Sequence, residues 1–290
     1  MAEFENIRIG PHSVPALTVT AVLMLAIPFV FFICWRRKHK DRTKVKYLIA
    51  GALSFLVSAR VLELAVHYFC ILADNPVSRF INGSTAVFVL YGTVMAGVFE
   101  ECGRHIVLKY IMKKDRTREN AVLYGIGHGG IEILAVVLPA IVTYLAAAIA
   151  FSGSSAEEAM KALKITGDTA AAALPSVQAA AAFDYPAAAM NVVERLIAML
   201  MHIGLTVIVF YGVKTAKKGL LPSAILLHML ADTFAALYQR GAVSLWAVEL
   251  WSSFWTAAIV FAAVGAYRKM KEQAANAAPA PSDRSQADGV

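Results

Sequence analysis

The chain has 290 residues, of which 59% are hydrophobic and only 16% are charged. A soluble domain is about 45–50% apolar and about 25% charged, so this composition argues against that class. The net charge of +7 does not indicate nucleic acid, because the basic residues cluster in short loops between apolar segments. We therefore predict no nucleic-acid partner and expect the chain to lie in a lipid bilayer.

Seven apolar segments follow one another, and each is long enough to cross about 30 Å of hydrocarbon as a helix. The predicted fold class is all-α, a polytopic membrane helical bundle of about seven transmembrane helices. The predicted spans lie at about 14–35, 46–72, 84–112, 119–150, 187–213, 219–239 and 242–267.

The Lys and Arg residues predict the orientation of the bundle. Most of them lie in the first, third and fifth loops (WRRKHKDRTKVK, KKDRTREN and KTAKKG) and at the start of the tail. The positive-inside rule makes these loops cytoplasmic, with the N-terminus out and the C-terminus in. MAEFENIRIG lacks the basic n-region of a signal peptide, so we expect the first segment to stay in the membrane.

Three regions follow from this pattern. Residues 1–13 are predicted as a short extracytoplasmic N-terminus, 14–270 as the transmembrane domain with a core at about 84–239, and 271–290 as a disordered cytoplasmic tail rich in Ala, Pro and Ser. The segment 152–186 is interpreted as an amphipathic helix on the outer surface, and a gate over an access path is the alternative.

Ionisable residues interrupt these spans. Such residues usually face the interior of a bundle and are functional candidates. Glu100, His128, His202 and His228 belong to four different spans, yet each lies about 14–20 Å from the cytoplasmic edge at 1.5 Å per residue. A depth shared by four helices indicates a single site.

Helical spacing predicts local pairs, because residues four apart share a face. The pairs are Glu100 with Arg104, Glu101 with His105, His128 with Glu132, and His228 with Asp232. The adjacent Glu100 and Glu101 point about 100° apart, so we expect only one of them to face the site. Four glycines around His128 in YGIGHGGIE predict close helix packing, with room left for a cavity or a substrate backbone.

The motifs EECGR, YGIGH and HMLAD, in this order on successive spans, resemble those of the CAAX prenyl protease and bacteriocin-processing superfamily. The stretches GHGGIE and ERLIAMLMHIG resemble the YhfC family, a bacterial branch of intramembrane peptidases. The resemblance covers about 84–239, and in the YhfC case it extends over most of the chain. It implies an intramembrane endopeptidase of the cell (inner) membrane, acting on a membrane-associated peptide or protein substrate.

The same resemblance assigns catalytic roles. Glu100 would activate water, Glu101 and Arg104 would support it, and His128, His228 and Asp232 would complete the catalytic set. Two departures stand out. The first motif is one residue shorter than the superfamily pattern, and Asp232 stands where Asn is usual.

Two chemistries remain open for this site. In one, His128, His202 and His228 bind Zn²⁺, Glu100 acts as the general base, and Asp232 orients one ring. In the other, no metal is needed: Glu100 deprotonates water, and His228 with Asp232 stabilises the oxyanion.

Other interpretations compete with a protease. An ion-coupled transporter also buries Glu, Asp and His, and a non-catalytic scaffold that binds membrane peptides would keep the same fold. We interpret His67 and His105 as packing residues, and Glu194 with Arg195 as support for the site. Substrate identity, oligomeric state and access route stay open, although the depth estimate favours the cytoplasmic half.

Overall fold

Seven helices long and apolar enough to cross a membrane build the part of the chain that the computed structural model describes, residues 7–153, 155–162 and 164–276. These described residues contain no β-strand, which confirms the predicted fold class. The side of the membrane on which each end lies stays a prediction. The helices are α1 (Ser13–Lys38), α2 (Lys46–Leu72), α3 (Thr85–Lys114), α4 (Arg118–Ala150), α5 (Tyr185–Thr215), α6 (Leu220–Gln239) and α7 (Leu245–Gln273).

Several helices begin where the sequence supplies a capping side chain. Ser84, Thr117 and Asp184 each accept a hydrogen bond from the backbone N–H three residues further on, ahead of α3, α4 and α5. After α7 the helical backbone continues to Asn276, so 271–276 are helical where disorder was predicted. The rest of the predicted disordered tail, 277–290, lies outside the described residues.

The segment between α4 and α5 forms two short helices, Ala156–Ala162 and Gly167–Ala182, rather than one. A small apolar cluster of its own holds them, with Met160 and Val177 fully buried and Ile7 packed alongside. A backbone bridge between Arg8 and Ser155 ties the segment to the start of the chain. None of its described residues lines the central cavity described below, so the gate interpretation gains no support.

Glycines allow α2, α4 and α5 to touch backbone to backbone. A Cβ on Gly127 of α4 would collide with the carbonyl of Leu48 in α2, and one on Gly51 would collide with the carbonyl of Tyr124. On the other side of α4, a Cβ on Gly125 would lie 2.7 Å from the Cα of Ile203 in α5. The predicted close packing is therefore present, but the predicted space beside His128 is filled by neighbouring helices.

The end of the bundle that carries the Lys- and Arg-rich loops is closely packed. The largest apolar core lies in this half and includes Leu108, Met112 and Phe210, all fully buried. Across the loops, Asp115 accepts hydrogen bonds from Lys44, Lys46 and Tyr47 at 2.8–3.0 Å. These bonds hold the pKa of the Asp115 carboxyl below its usual range. We call this closed side the basic end.

We expect Gly127→Ala to lower the free energy of unfolding by about 1–3 kcal/mol, because the added methyl group must push α2 and α4 apart. Thermal unfolding of the purified protein in detergent measures the change. Gly265→Ala in α7 is the matched control, since a Cβ there meets nothing within 4 Å. Equal stability of the two variants would contradict the backbone contact.

Candidate metal centre

Side chains from four helices meet at one depth. The imidazole rings of His128 on α4, His202 on α5 and His228 on α6 follow one another, with centroids 5.0 and 5.7 Å apart. Glu100 on α3 adjoins the first two rings, and these four residues are each at least nine-tenths buried. The depth shared in the sequence thus corresponds to a cluster in space, while the catalytic roles of its members stay predictions.

Glu100 faces α4. Its Oε2 accepts a hydrogen bond from Nε2 of His128 at 2.9 Å and lies 3.8 Å from Nδ1 of His202. The His128 ring is held against Phe55, whose edge approaches it with ring centroids 5.2 Å apart. Nδ1 of His128 has no hydrogen-bond partner among the described residues. His128 therefore relies on packing and on Glu100 for its orientation.

Glu101 points towards α6, as the angle between adjacent helical residues predicts. Its Oε1 accepts a hydrogen bond from Nδ1 of His228 at 2.8 Å. The same oxygen forms an ion pair with Arg104 at 3.1 Å. On the opposite edge of the ring, Nε2 of His228 lies 3.3 Å from Oδ2 of Asp232. Since both ring nitrogens face carboxylates, both can donate hydrogen bonds only when the ring carries two protons.

Arg104 is fully buried and connects the two halves of the cluster. Besides Glu101, its guanidinium donates a hydrogen bond to Nδ1 of His202 at 3.2 Å and another to the His202 carbonyl at 3.5 Å. Guanidinium is always charged and only donates, so His202 accepts at Nδ1 and its Nε2 carries the proton of the neutral ring. One arginine thereby fixes the orientation of His202.

Glu132 connects α4 with α5. Its Oε2 lies 2.6 Å from Nε2 of His202, and its Oε1 accepts a hydrogen bond from Arg195 at 2.9 Å. The same Oε2 is buried and lacks an aligned hydrogen-bond donor among the described residues. Arg195 also pairs with its neighbour Glu194. The interpretation of Glu194 and Arg195 as support for the site fits these contacts.

Three of the local pairs predicted from spacing are rearranged. Arg104 pairs with Glu101, three residues away, rather than with Glu100. Glu132 pairs with His202 on the next helix rather than with His128. His105 lines a separate groove with Lys109 at the basic end, away from Glu101. Only the pair of His228 with Asp232 forms as predicted.

A second contact lies outside the central cluster. Oε1 of Glu63 lies 3.3 Å from Nε2 of His67, which was interpreted from sequence as a packing residue. Nδ1 of His67 contacts the hydroxyl of Tyr91 at 2.9 Å. The spacing of four between Glu63 and His67 was a signal for this contact, but nothing in the sequence indicated Tyr91.

A Glu/His/His group at the centre of the cluster could bind a metal ion. Glu100, His128 and His202 each offer one donor atom, and these atoms lie within 4.8 Å of one another. Two imidazoles and one carboxylate are a known catalytic zinc set, with a fourth position left for water. Arg104 competes at Nδ1 of His202, because that nitrogen has a single lone pair.

His228, which was predicted as a zinc ligand, lies outside this group of three. Its Nδ1 is held by Glu101, which is the way a carboxylate commonly orients a ligating histidine. Its Nε2 would be the ligating atom, and that atom faces Asp232 instead. The three-histidine set therefore stays a prediction beside the Glu/His/His group.

A cavity of about 460 Å³ reaches the cluster. Its wall includes Glu100, His202 and His228, together with Glu132 and Asp232. His128 is fully buried and is not among the lining residues, so it lies behind Glu100. A molecule in this cavity would meet one face of the cluster directly.

The fold and the buried group define a polytopic membrane protein with a candidate metal centre inside its helix bundle. A profile of the family described as "YhfC intramembrane metalloprotease" matches residues 23–251. A Bacillus subtilis (strain 168) protein described as "Uncharacterized membrane protein YhfC" is 30% identical over 235 residues, which cover 81% of this chain and 88% of that protein. No solved structure matches the chain.

The chain belongs to the YhfC intramembrane metalloprotease family. The matched range contains every residue of the cluster, from Glu100 to Asp232. This confirms the resemblance noted in GHGGIE and ERLIAMLMHIG. The wider relationship to CAAX prenyl proteases stays a resemblance of short motifs.

We expect Arg104→Met to lower the free energy of unfolding by about 3–5 kcal/mol, because it leaves the buried Glu101 carboxylate without its cation. Adding Glu101→Gln to this variant should recover part of the loss. Chemical or thermal unfolding in detergent reports both changes. Arg60→Met on the exposed side of α2 is the control, and a loss there as large as for Arg104→Met would contradict the assignment.

Proposed function

We propose that this protein is a metal-dependent intramembrane endopeptidase of the cell (inner) membrane, which hydrolyses a peptide bond of a membrane-associated substrate. The single observation that carries the proposal is the buried Glu/His/His group, of which Glu100 and His202 line a cavity inside the bundle. Membership of the YhfC metalloprotease family supports the same chemistry.

Glu100, His128 and His202 would hold the metal, which we propose to be Zn²⁺. When bound, such an ion lowers the pKa of water and polarises a peptide carbonyl. Neighbouring side chains hold these residues in position. Glu132 adjoins Nε2 of His202, and Phe55 packs against the His128 ring. Charged groups at this depth require such partners, because they have no bulk water to hydrate them.

In the metal-free alternative, Glu100 activates water, because it lines the cavity. Its Oε2 is engaged by His128, and its other oxygen takes no part in that hydrogen bond. A carboxylate in this position can accept a proton from water that attacks the peptide carbonyl. When Glu100 holds the metal, Glu132 takes this role, because it lines the cavity and its Oε2 lacks an aligned donor among the described residues.

His228 lines the cavity next to His202 and is positioned to donate a proton. Glu101 fixes its Nδ1, so Nε2 is directed at Asp232 and at the cavity. A doubly protonated ring can stabilise the developing oxyanion or protonate the leaving amine. Glu101 and Arg104 do not line the cavity, so we assign them the role of positioning His228 and His202.

We expect the purified protein to cleave a transmembrane or membrane-proximal peptide in detergent. Glu100→Gln and His228→Ala should each lower kcat/KM at least about 100-fold, because each removes a proton-transfer group. His105→Ala on the same helix as Glu100 is the matched control and should keep its activity, since His105 lines a different groove. If wild type cleaves and Glu100→Gln cleaves equally well, the site is wrongly placed.

Metal content tests the ligand set independently of activity. We expect stoichiometric zinc in wild type, loss of it in His128→Ala and His202→Ala, and retention in His228→Ala. Loss of zinc in His228→Ala with retention in Glu100→Gln would instead support the three-histidine set. An active enzyme without stoichiometric metal would support the metal-free mechanism, in which Glu100, His128, His228 and Asp232 act alone.

A further inference from the structure

The cavity runs from the cluster towards one end of the bundle only. On five helices its lining residues extend from the depth of Glu100 to the end opposite the basic end, which we call the open end. At that end, the lining reaches Ile71 near the end of α2 and Gln239 at the end of α6. The lining stretches are 63–71 of α2, 88–100 of α3, 194–202 of α5, 228–239 of α6 and 248–256 of α7.

The groove at the basic end shares no lining residue with this cavity. The fully buried side chains Leu108, Met112 and Phe210 fill the bundle there, and the loops beyond them are joined through Asp115. The sequence-based preference for the cytoplasmic half therefore runs against the shape of the cavity. If the positive-inside rule holds for this chain, the cavity opens on the extracytoplasmic side.

A side pocket adjoins the cavity near the open end. It has a volume of about 220 Å³ and lies between the first turns of α5 and α7 and the last turn of α6. It shares Glu194, Ala235, Gln239 and Val248 with the wall of the main cavity, so the two spaces are adjacent.

Glu249 lines this side pocket and has no counter-charge in contact. Glu249 is only 6% exposed, and neither of its carboxylate oxygens has a hydrogen-bond partner among the described residues. The guanidinium of Arg195 is already used by Glu132 and Glu194. Burying an isolated carboxylate is unfavourable unless a cation joins it. The pocket is thus suited to a positively charged guest.

The charge of the main cavity favours the same guest. Five carboxylates line it against one guanidinium and three imidazoles, so its formal charge is negative even when every imidazole is protonated. With neutral imidazoles, one divalent metal ion would still leave the wall negative. The excess charge therefore exceeds what a single metal ion at the cluster would neutralise, and it would attract cationic segments.

We propose that the side pocket at Glu249 binds the Lys or Arg side chain of a peptide substrate that reaches the cluster from the open end. This inference rests on the proposed function, and it adds a substrate class to it: an apolar segment with a basic residue close to the cleaved bond. Glu249 supplies the counter-charge, and the polar side chains of Asn191, Tyr238 and Gln239 line the same pocket.

Binding of two matched peptides tests the proposal. They share one apolar sequence and differ only in Lys or norleucine near one end, and binding is measured to the full chain in detergent with Glu100→Gln, so that no cleavage occurs. We expect the Lys peptide to bind about tenfold more tightly. Adding Glu249→Gln should abolish this preference and Glu249→Asp should retain part of it. Glu272→Gln, on the exposed part of the same helix, is the matched control and should leave it unchanged.

A labelling experiment keeps the proposal testable if Glu249→Gln does not fold. Gln239→Cys at the mouth and Lys217→Cys at the basic end are introduced after Cys34, Cys70 and Cys102 have been replaced. We expect an impermeant maleimide to modify Gln239→Cys in intact cells and Lys217→Cys only in everted vesicles. The Lys peptide should protect Gln239→Cys better than the norleucine peptide does.

Equal binding of both peptides, or a Lys preference that survives Glu249→Gln, overturns the proposal. So does a Lys peptide that protects Gln239→Cys no better than the norleucine peptide. These outcomes are separate from the proposed function, because binding is measured without turnover. If the protein cleaves both peptides equally, the proposed Lys/Arg pocket is wrong but the proposed function stands. If it prefers the Lys peptide but never cleaves it, the proposed peptidase function is wrong.

Discussion

Two adjacent carboxylates on α3 hold the interior of the bundle together. Because consecutive helical residues diverge by about 100°, Glu100 reaches His128 on α4 while Glu101 reaches His228 on α6. Arg104 neutralises the deeper carboxylate and binds His202 on α5. Three imidazoles from three helices are thus oriented by side chains within one five-residue stretch of α3. A change in any of these contacts would disturb the others, since each partner serves more than one neighbour.

The residues that line the cavity differ from those that hold them in position. Glu100, His202 and His228 reach the cavity wall, whereas Glu101 and Arg104 stay completely enclosed. The enclosed ion pair has no contact with a molecule in the cavity, so its contribution lies in fixed ring positions. Preorganised groups of this kind need not reorient when charge develops during a reaction.

Length, apolar runs and motif order were enough to predict the seven helices and the family. Their shared depth was enough to predict that Glu100, His128, His202 and His228 lie at one level of the bundle. The contacts within the cluster were harder to predict, because residues three apart and residues four apart share a helix face equally well. Arg104 could join either glutamate, and the choice depends on where α5 and α6 place their histidines.

Two further features depend on packing that one sequence does not reveal. Glycines beside His128 could indicate either a void or a tight contact, and only the position of α2 and α5 decides for contact. Depth along a helix measures distance from a surface, but it does not tell which half of the bundle is filled. The large core at the basic end decides that question, and it is assembled from residues far apart in the chain.

The enclosed guanidinium has a consequence for how the protein is made. The 18-residue apolar stretch of α3 has a mean hydropathy of 1.3, the lowest among the seven helices, and α3 carries Glu100, Glu101 and Arg104 near its middle. Each such charge costs about 2.5–3.5 kcal/mol at the centre of a lone inserted helix. α3 is therefore a poor membrane segment until α4, α5 and α6 have been synthesised and supply their histidines. The stable insertion of α3 is thus coupled to that of the helices that supply its partners.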